Sequence, residues 1–227
     1  MKHLVVVPAR GGSKGIPKKN IYPLCGKPLL SYTLETALMA GIDGDITVST
    51  DADDIAQVAA GHDGVIVIKR PDELAVDTAS TEDALIHALD YMKEKYGKEY
   101  DTVITLQPTS PMRTPETVKA FIENYEKNAD KYDAQLTLTE CRGDYWVQRE
   151  GQFGRLFPNA PRRRQDREPI YLEDSCIYIT DAKALREKHS VLGNRVNGFV
   201  ISEKEGVDIN EPVDLVIAGA FIEEKRG

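Results

Sequence analysis

Short apolar runs alternate with amphipathic stretches along most of the chain, and this alternation restricts the possible folds more than any other feature. The β-branched run His3–Pro8 predicts a buried strand, and the leucine spacing within Pro28–Ala40 predicts a helix after it. Six further strands are predicted in the same way, at Ile46–Thr50, Val65–Ile68, Thr102–Leu106, Ala134–Thr139, Cys176–Thr180 and Gly198–Ser202. The further predicted helices are Asp53–Ala60, one from Ser80 to about Tyr96, and three that begin near Thr114, Asp181 and Glu211. Such alternation favours a three-layer, Rossmann-like α/β fold with helices on both faces of a mostly parallel sheet.

The alternation is interrupted between Asp144 and Arg167. This segment combines short alternating pieces with two glycines and a run of arginines, which predicts an inserted hairpin or arm. A length of 227 residues suits one domain with a modest extension, so we expect a single domain over residues 1–227.

The charge composition narrows the classes of partner. The chain has 29 Lys and Arg against 37 Asp and Glu, a net charge of -8, which disfavours binding to a nucleic-acid backbone. Its apolar runs fall short of the roughly 18 residues that span a bilayer, and the start of the chain lacks a signal-peptide core. The 3 distant cysteines predict neither a disulfide framework nor a zinc site. We therefore expect a cytoplasmic protein with no nucleic-acid or membrane partner.

A basic, glycine-rich loop, Ala9–Asn20, follows the first predicted strand. It carries Arg10, Lys14, Lys18 and Lys19 and no acidic residue. Ligands of open α/β sheets bind beyond the carboxyl ends of the strands, and glycines permit conformations that turn N–H groups toward an anion. The loop therefore predicts a phosphate cradle, although it matches neither the Walker A nor the dinucleotide pattern. The alternative is a solvated basic loop without a ligand.

Further polar motifs follow the later strands. They are Ser49-Thr50-Asp51, Arg70-Pro71 with Leu74-Ala75 and Asp77-Thr78, Leu106-Gln107-Pro108-Thr109-Ser110-Pro111 with Arg113, Arg163-Arg164-Gln165-Asp166, Ile177-Tyr178-Ile179 and Asp208-Ile209-Asn210. Together with the first loop, the series resembles the acylneuraminate (CMP-sialic acid) cytidylyltransferase family over essentially the whole chain. One such motif would be weak support, whereas the full series in the same order is specific.

The resemblance implies an enzyme that transfers CMP from CTP to the anomeric hydroxyl of a nine-carbon 2-keto sugar acid. Pyrophosphate is released with the help of Mg²⁺, and catalysis depends on positioning and on neutralising phosphate charge. The implied catalytic residues are Arg10, Lys19 and Asp208. The implied nucleotide-binding residues are Ala9, Arg10, Gly11, Gly12, Ser13, Lys14, Asn20, Arg70 and Thr81. Taken alone, Asn20 reads equally well as a turn residue, Arg70 as a surface charge and Thr81 as a helix cap.

The resemblance also implies that Asp208 and Asn210 bind the metal. Many members of the family have Asp-x-Asp at this place, and a neutral amide is a weaker ligand and a poor base. Mg²⁺ needs one or two protein carboxylates beside the phosphate oxygens, so Asp208 remains a suitable ligand. The alternative is that Asn210 caps the last helix.

The sugar-acid site implied by the resemblance consists of Gln107, Arg164 and Tyr178. Bacterial sialic acid enzymes often have Arg-Pro-Asn-Gly shortly before the Ile-Tyr-Ile strand, whereas this chain has Leu172–Ser175, with two carboxylates and no cation. A change of this kind beside an acidic substrate leaves the sugar open among sialic, legionaminic and deaminated acids.

In the family the arm is exchanged between the subunits of a homodimer, and Trp146, Phe153 and Phe157 suit an interface. The alternative is that these aromatic side chains pack on their own domain. A Kdo cytidylyltransferase, which normally has an aromatic residue in place of Gly11-Gly12, and a nucleotide-binding protein without catalysis remain as alternative functions. We expect no appended hydrolase domain of the kind that some relatives have.

Overall fold

Strands and helices alternate through the chain. A computed structural model of the protein describes residues 1–13, 15–76 and 79–224. The strands are β1 (His3–Pro8), β2 (Pro23–Leu24), β3 (Lys27–Pro28), β4 (Gly44–Thr50), β5 (Val65–Lys69), β6 (Thr102–Leu106), β7 (Ala134–Cys141), β8 (Trp146–Arg149), β9 (Gln152–Arg155), β10 (Ile170–Asp181) and β11 (Val196–Ile201). The helices are α1 (Leu29–Met39), α2 (Asp53–Ala60), α3 (Thr81–Tyr96), α4 (Pro115–Asn128), α5 (Ala182–Lys188) and α6 (Pro212–Glu224).

The central sheet of the described residues has seven strands in the order β11-β7-β10-β6-β1-β4-β5. Its neighbouring strands are parallel except where β10 pairs antiparallel with β6 and with β7. The carboxyl ends of the parallel strands therefore meet at one edge, and β10 begins at that same edge. The predicted three-layer fold with a mostly parallel sheet is confirmed.

Helices cover both faces of the sheet. On one face, α1, α2 and α4 pack with Val5 and Val7 of β1. On the other face, α3 and α5 pack with Leu4 and Val6 of the same strand. Because both faces are buried, β1 is a continuous apolar run, and burial of each large side chain contributes about 1.5–3 kcal/mol. In the described ranges, no helix is long and apolar enough to cross a membrane.

The ends of α3 are determined by local sequence signals. The Asp83 N–H donates to Ser80 Oγ at 3.1 Å, and the Asp83 carboxylate accepts the Ser80 N–H at 3.0 Å, which together form a capping box. Gly97 ends the helix in the left-handed region with φ 64. Ser80 is the cap, so the alternative interpretation of Thr81 as a helix cap is wrong.

Most predicted strands differ from the structure by one or two residues at an end, and β10 differs most. β10 begins at Ile170, well before the predicted Cys176, because its first half pairs with the end of β7. An irregularity between Glu173 and Tyr178 separates the two halves, and the first half is largely exposed and lacks a long apolar run. β11 spans Val196–Ile201 and begins two residues before the prediction.

The inserted segment is a β-hairpin formed by β8 and β9. Its turn residues, Glu150 and Gly151, have φ 50 and φ 80, as a type I′ turn requires. Asp144 accepts hydrogen bonds from Arg155 at 2.9 Å and from Arg167 at 3.3 Å. These ion pairs hold the base of the arm together.

The aromatic side chains of the arm are exposed. Trp146 is 53% exposed, Phe153 is 71% exposed and Phe157 is 46% exposed. These exposed fractions favour an interface over the alternative in which the side chains pack on their own domain. Exposed apolar side chains on an extension mark a surface that is available to a partner.

Candidate functional site

A cleft at the carboxyl edge of the sheet brings predicted site residues from four segments together. Its volume is about 280 Å³, and it lies between the ends of β1 and β6 and the start of α3. Arg10, Arg70, Thr81 and Gln107 all line it. Three of the four residues follow strands of the sheet, and the fourth begins α3, as expected for a ligand site at the strand ends.

Hydrogen bonds to Ser49, near the end of β4, hold the side chain of Arg70 in place. Its side chain is buried, and it donates from Nε to Ser49 Oγ at 3.2 Å and from Nη2 to the Ser49 carbonyl at 2.9 Å. Burial lowers the pKa of Arg70 and Asp51 opposes the shift, but a guanidinium stays charged in proteins. A buried cation at the wall of a cleft favours an anionic ligand. The alternative interpretation of Arg70 as a surface charge is wrong.

Hydrogen bonds hold the first loop in place. The buried Asn20 donates from Nδ2 to the Arg10 carbonyl at 2.9 Å, and the Gly11 N–H donates to Asp51 Oδ1 at 3.0 Å. Asn20 therefore supports the backbone of Arg10 and leaves the Arg10 side chain to line the cleft. Lys14, a predicted nucleotide-binding residue, lies outside the described residues, as do Asp77 and Thr78 of the resemblance.

Close packing explains two glycines of the first loop. A Cβ on Gly15 would lie 2.5 Å from the Asn210 carbonyl oxygen, and a Cβ on Gly11 would lie 2.9 Å from the Ala52 Cβ. Gly11 and Gly12 have no positive φ. At Gly11 and Gly15 the missing side chain allows the loop to approach its neighbours.

Lys19 joins the first loop to the last loop. Its Nζ donates to the Ile209 carbonyl at 2.7 Å and to Asn210 Oδ1 at 3.3 Å. Burial lowers the pKa of Lys19, whereas Asp208 and Asp214 oppose that shift. The predicted catalytic residues Lys19 and Asp208 thus lie together, although almost the whole chain separates them in sequence.

Asp208 has oxygen atoms that suit a divalent cation. Its Oδ1 is buried and has no hydrogen-bond partner among the described residues, while its Oδ2 accepts from Asn210 Nδ2 at 2.6 Å. Within the described residues, no group of three or more His, Cys, Asp or Glu could hold a metal. A single carboxylate still fits Mg²⁺, which keeps several waters and binds substrate phosphates.

Asn210 does not cap the last helix. The backbone N–H groups of Asn210 and Glu211 both donate to Asp214 Oδ2 at 2.8 Å, so Asp214 satisfies the start of α6. The Asn210 side chain instead turns toward Asp208 and Lys19. The interpretation of Asn210 as a helix cap is therefore wrong.

The predicted sugar-acid residues lie at different distances from the cleft. Gln107 lines it, and Tyr178 lies on the neighbouring strand in register with Thr105. The Tyr178 hydroxyl donates to Glu173 Oε1 at 2.6 Å, and burial raises the pKa of this phenol. Arg164 is an exposed residue of the arm, and its Nη2 lies 3.5 Å from Glu203 Oε1. Gln107 thus directly follows the strand that pairs with the Tyr178 segment of β10, whereas Arg164 belongs to the arm.

The sequence-based prediction assigns no role to two buried charged residues behind the cleft. Arg113 is 3% exposed and donates to the carbonyls of Cys176 and Gln107. Asp174 is 5% exposed and accepts from Thr137 Oγ1 at 2.5 Å and from the Cys176 N–H at 3.0 Å. Burial raises the pKa of Asp174, and these hydrogen bonds and Arg113 oppose the shift. No sequence pattern indicates their burial, because Arg113 lies in the loop before α4 and Asp174 lies at the irregularity of β10.

Comparisons with known proteins identify the family to which the chain belongs. The family model described as cytidylyltransferase matches residues 4–185. A CMP-N,N′-diacetyllegionaminic acid synthase of Legionella pneumophila is 32% identical and is matched over 98% of this chain and 97% of its own length. A pseudaminic acid cytidylyltransferase of Campylobacter jejuni is 31% identical over 96% of this chain and 95% of its own length. An N-acylneuraminate cytidylyltransferase of Escherichia coli is 27% identical, and this chain spans 53% of its length.

Solved structures support the same fold. A CMP:2-keto-3-deoxy-manno-octonic acid synthetase in complex with CTP superposes with a TM-score of 0.73 and 19% identity, covering 99% of this chain and 100% of the other. A 4-diphosphocytidyl-2C-methyl-D-erythritol synthase of Anaerococcus prevotii gives a TM-score of 0.67 and 16% identity, covering 97% and 96%. Given the family match and relatives that are more than 30% identical over nearly the whole chain, the protein belongs to the cytidylyltransferase family and is a nucleotidyltransferase.

Proposed function

We propose that this enzyme transfers CMP from CTP to the anomeric hydroxyl of a nonulosonic acid, a nine-carbon 2-keto sugar acid, and releases pyrophosphate. The observation that carries the proposal is the convergence of Arg10, Arg70, Thr81 and Gln107 on one cleft at the strand ends. The relatives named for legionaminic, pseudaminic and N-acylneuraminic acids support this substrate class.

The first loop would bind the triphosphate. Arg10 lines the cleft and can hold two phosphate oxygens, and Lys19 and Lys14 add point charges. Negative charge grows on the α-phosphate oxygens and on the departing pyrophosphate, so fixed cations stabilise the transition state more than the ground state. Asn20 contributes by holding the backbone of Arg10. Backbone groups of Ala9, Gly11, Gly12 and Ser13 complete the proposed nucleotide site.

The two substrates would meet beside Gln107. Arg70 and Thr81 lie with Arg10 on the wall of the cleft and would hold the nucleotide. Gln107 and the neighbouring Tyr178 would contact the sugar acid, and Arg164 would approach it from the arm. In this arrangement the anomeric hydroxyl would attack the α-phosphate directly, without a covalent enzyme intermediate.

Asp208 would hold Mg²⁺, which neutralises phosphate charge when it is bound. Asp208 supplies the carboxylate of the proposed metal site. Its Oδ1 is buried, and its Oδ2 accepts a hydrogen bond from Asn210. Asn210 donates to Asp208 and accepts from Lys19, so its amide orients both groups. We assign Asn210 this orienting role together with, at most, a weak metal contact.

We also propose that the protein is a cytoplasmic homodimer in which the arm forms part of the interface. The exposed aromatic side chains of the arm support an interface. Cys25, Cys141 and Cys176 form no disulfide bond among the described residues, which is consistent with a reducing compartment.

The function is tested by incubating the purified protein with CTP, Mg²⁺ and a panel of sugar acids while pyrophosphate release is measured. The panel contains N-acetylneuraminic, legionaminic, pseudaminic and deaminated neuraminic acids, together with Kdo. We expect release with at least one nine-carbon acid, at a kcat/KM well above that for Kdo. Faster turnover of Kdo would instead make the chain a Kdo cytidylyltransferase.

The variant Arg10→Ala tests the proposed role of Arg10 in turnover. Removing a cation aimed at developing charge is expected to lower kcat by roughly 100-fold, with an unchanged melting temperature. Arg186→Ala, which removes an exposed arginine paired with Asp90, is the control and retains full activity. A folded wild-type protein that is stabilised by CTP but releases no pyrophosphate would be a nucleotide-binding protein without catalysis.

A further inference from the structure

We propose that Arg113 is a positioning residue for this reaction, acting on the sugar acid through Gln107 and on the metal site through Asp208. The inference rests on the proposed function, because it gives Arg113 a role only through these two residues. Arg113 itself is buried behind the cleft and does not belong to its lining.

The guanidinium of Arg113 connects three segments. Its Nη1 donates to the Cys176 carbonyl of β10 at 2.5 Å. Its Nη2 donates to Thr33 Oγ1 of α1 at 2.9 Å and to the Gln107 carbonyl. A planar fork with several donors can serve acceptors in three directions, whereas the single ammonium of lysine cannot. Arg113 therefore sets the position of β10 and of the turn after β6 relative to α1.

Gln107 depends on this anchor. Its carbonyl accepts from Arg113 and also from the Thr33 hydroxyl at 3.4 Å, while its side chain lines the cleft. The backbone is thus held from the interior, and the side chain leaves it in a defined direction. Loss of the anchor would let the side chain shift, and misplacement by about 1 Å is enough to cost a large factor in rate.

The guanidinium of Arg113 also interacts with two carboxylates, those of Asp174 and Asp208. Asp174 Oδ2 and Asp208 Oδ1 are buried and have no hydrogen-bond partner among the described residues. Asp174 and Asp208 both interact electrostatically with Arg113 and with each other. Two carboxylates in one buried region need a cation beside them unless one of them takes up a proton. Arg113 supplies that charge behind the proposed metal ligand.

Direct contacts bring the last loop to this cluster. The Ile209 N–H donates to the Thr109 carbonyl at 2.9 Å, and Cys176 Sγ lies 3.7 Å from the Glu205 carbonyl. The loop that carries Asp208 therefore rests on the two segments that Arg113 holds. A change at Arg113 is expected to reach both Gln107 and Asp208.

The test compares Arg113→Lys, which keeps the charge and removes the fork, with Arg113→Met, which removes both. Steady-state kinetics are measured with the sugar acid that the wild type uses best, and CTP affinity is measured separately by equilibrium binding. We expect Arg113→Lys to raise the KM of the sugar acid by about tenfold, the size of one lost charged hydrogen bond, with CTP affinity within twofold. Arg113→Met should in addition lower kcat. Arg186→Lys is the matched exposed control.

A purely structural role would lower the melting temperature and the active fraction, so kcat would fall while the KM of the sugar acid and the affinity for CTP stayed unchanged. That result, or a wild-type KM for the sugar acid in Arg113→Lys, overturns the proposal. If neither variant folds, Thr33→Val removes one acceptor of Arg113 and one donor to Gln107, and an unchanged KM for the sugar acid in this variant overturns the proposal equally. A wild type that releases no pyrophosphate removes the proposed function and this inference together, whereas an active wild type with unaffected variants removes only the role of Arg113.

Discussion

Lys19 carries its charge in a setting that makes the charge easier to lose. Burial lowers the pKa of Lys19 from its usual value of 10.5, against the opposing pull of Asp208 and Asp214. In the folded enzyme the proton therefore leaves at lower pH than in the unfolded chain. The buried charge costs stability at neutral pH, and this cost disappears as the pH rises through the folded pKa.

We predict that kcat/KM, which reports the free enzyme, falls as the pH rises through this lowered pKa. The cation that we propose for binding the triphosphate is lost there. Lys19→Arg stays charged, so its alkaline limb should lie at higher pH, and Lys18→Arg serves as the control. Profiles from pH 7 to about 10.5 decide the question, since coincident alkaline limbs for wild type and Lys19→Arg would assign the titration to another group.

A second prediction at the residue scale concerns Gly15. A Cβ there would lie 2.5 Å from the Asn210 carbonyl, so Gly15→Ala must push the first loop away from the last loop. We expect a loss of at least about tenfold in kcat/KM, because the contacts of Lys19 with the last loop depend on this approach. Gly154→Ala, at a position with open space, is the control. Equal activities of the two variants would contradict the packing argument.

The residues of the cleft differ in how far the sequence reveals them. Arg10, Arg70 and Gln107 follow strands, and the topology of a parallel sheet brings such positions together. Arg113 and Asp174 were missed as contributors because their partners come from distant segments, and the burial of a charged side chain has no periodic signature. The contact of Lys19 with Ile209 and Asn210 was missed for the same reason.

At the scale of elements, α3 is the helix that presents Thr81 to the cleft. We predict that Ser80→Ala lowers the free energy of unfolding by about 1 kcal/mol, because the Asp83 N–H loses its cap. Urea unfolding measures this change, and Ser80→Thr, which keeps a hydroxyl acceptor, should recover most of it. An equal loss in both variants would show that the hydroxyl does not stabilise the helix.

Strands were predicted well where both faces are buried and poorly where one face is open. β6 has the predicted bounds because each of its residues is buried. The first half of β10 is paired but largely exposed, so its sequence lacks the apolar pattern that indicates a strand. The antiparallel direction of β10 follows from the arm before it, which returns the chain to the edge it left, and no local pattern specifies that return.

At the scale of the whole molecule, the oligomeric state is the main open prediction. We expect the wild type to sediment as a dimer and the double variant Trp146→Ser/Phe153→Ser to sediment as a monomer with reduced activity, because exposed aromatic side chains supply much of an interface. Val216→Ser, which changes an equally exposed apolar residue of α6, is the control. A monomeric wild type, or a dimer that survives the double substitution, would assign the arm another role.

The reversed direction of β10 has a consequence for how this protein could diverge. Cys141 at the end of β7 pairs with Ile170 at the start of β10, so the arm leaves and returns at the same edge of the sheet. One contiguous stretch, residues 142–169, can therefore be exchanged as a module while the first loop, Arg70 and α3 stay unchanged. A chimaera that carries this stretch from a relative is expected to keep CTP as its nucleotide donor, because the residues that line the cleft lie outside the stretch.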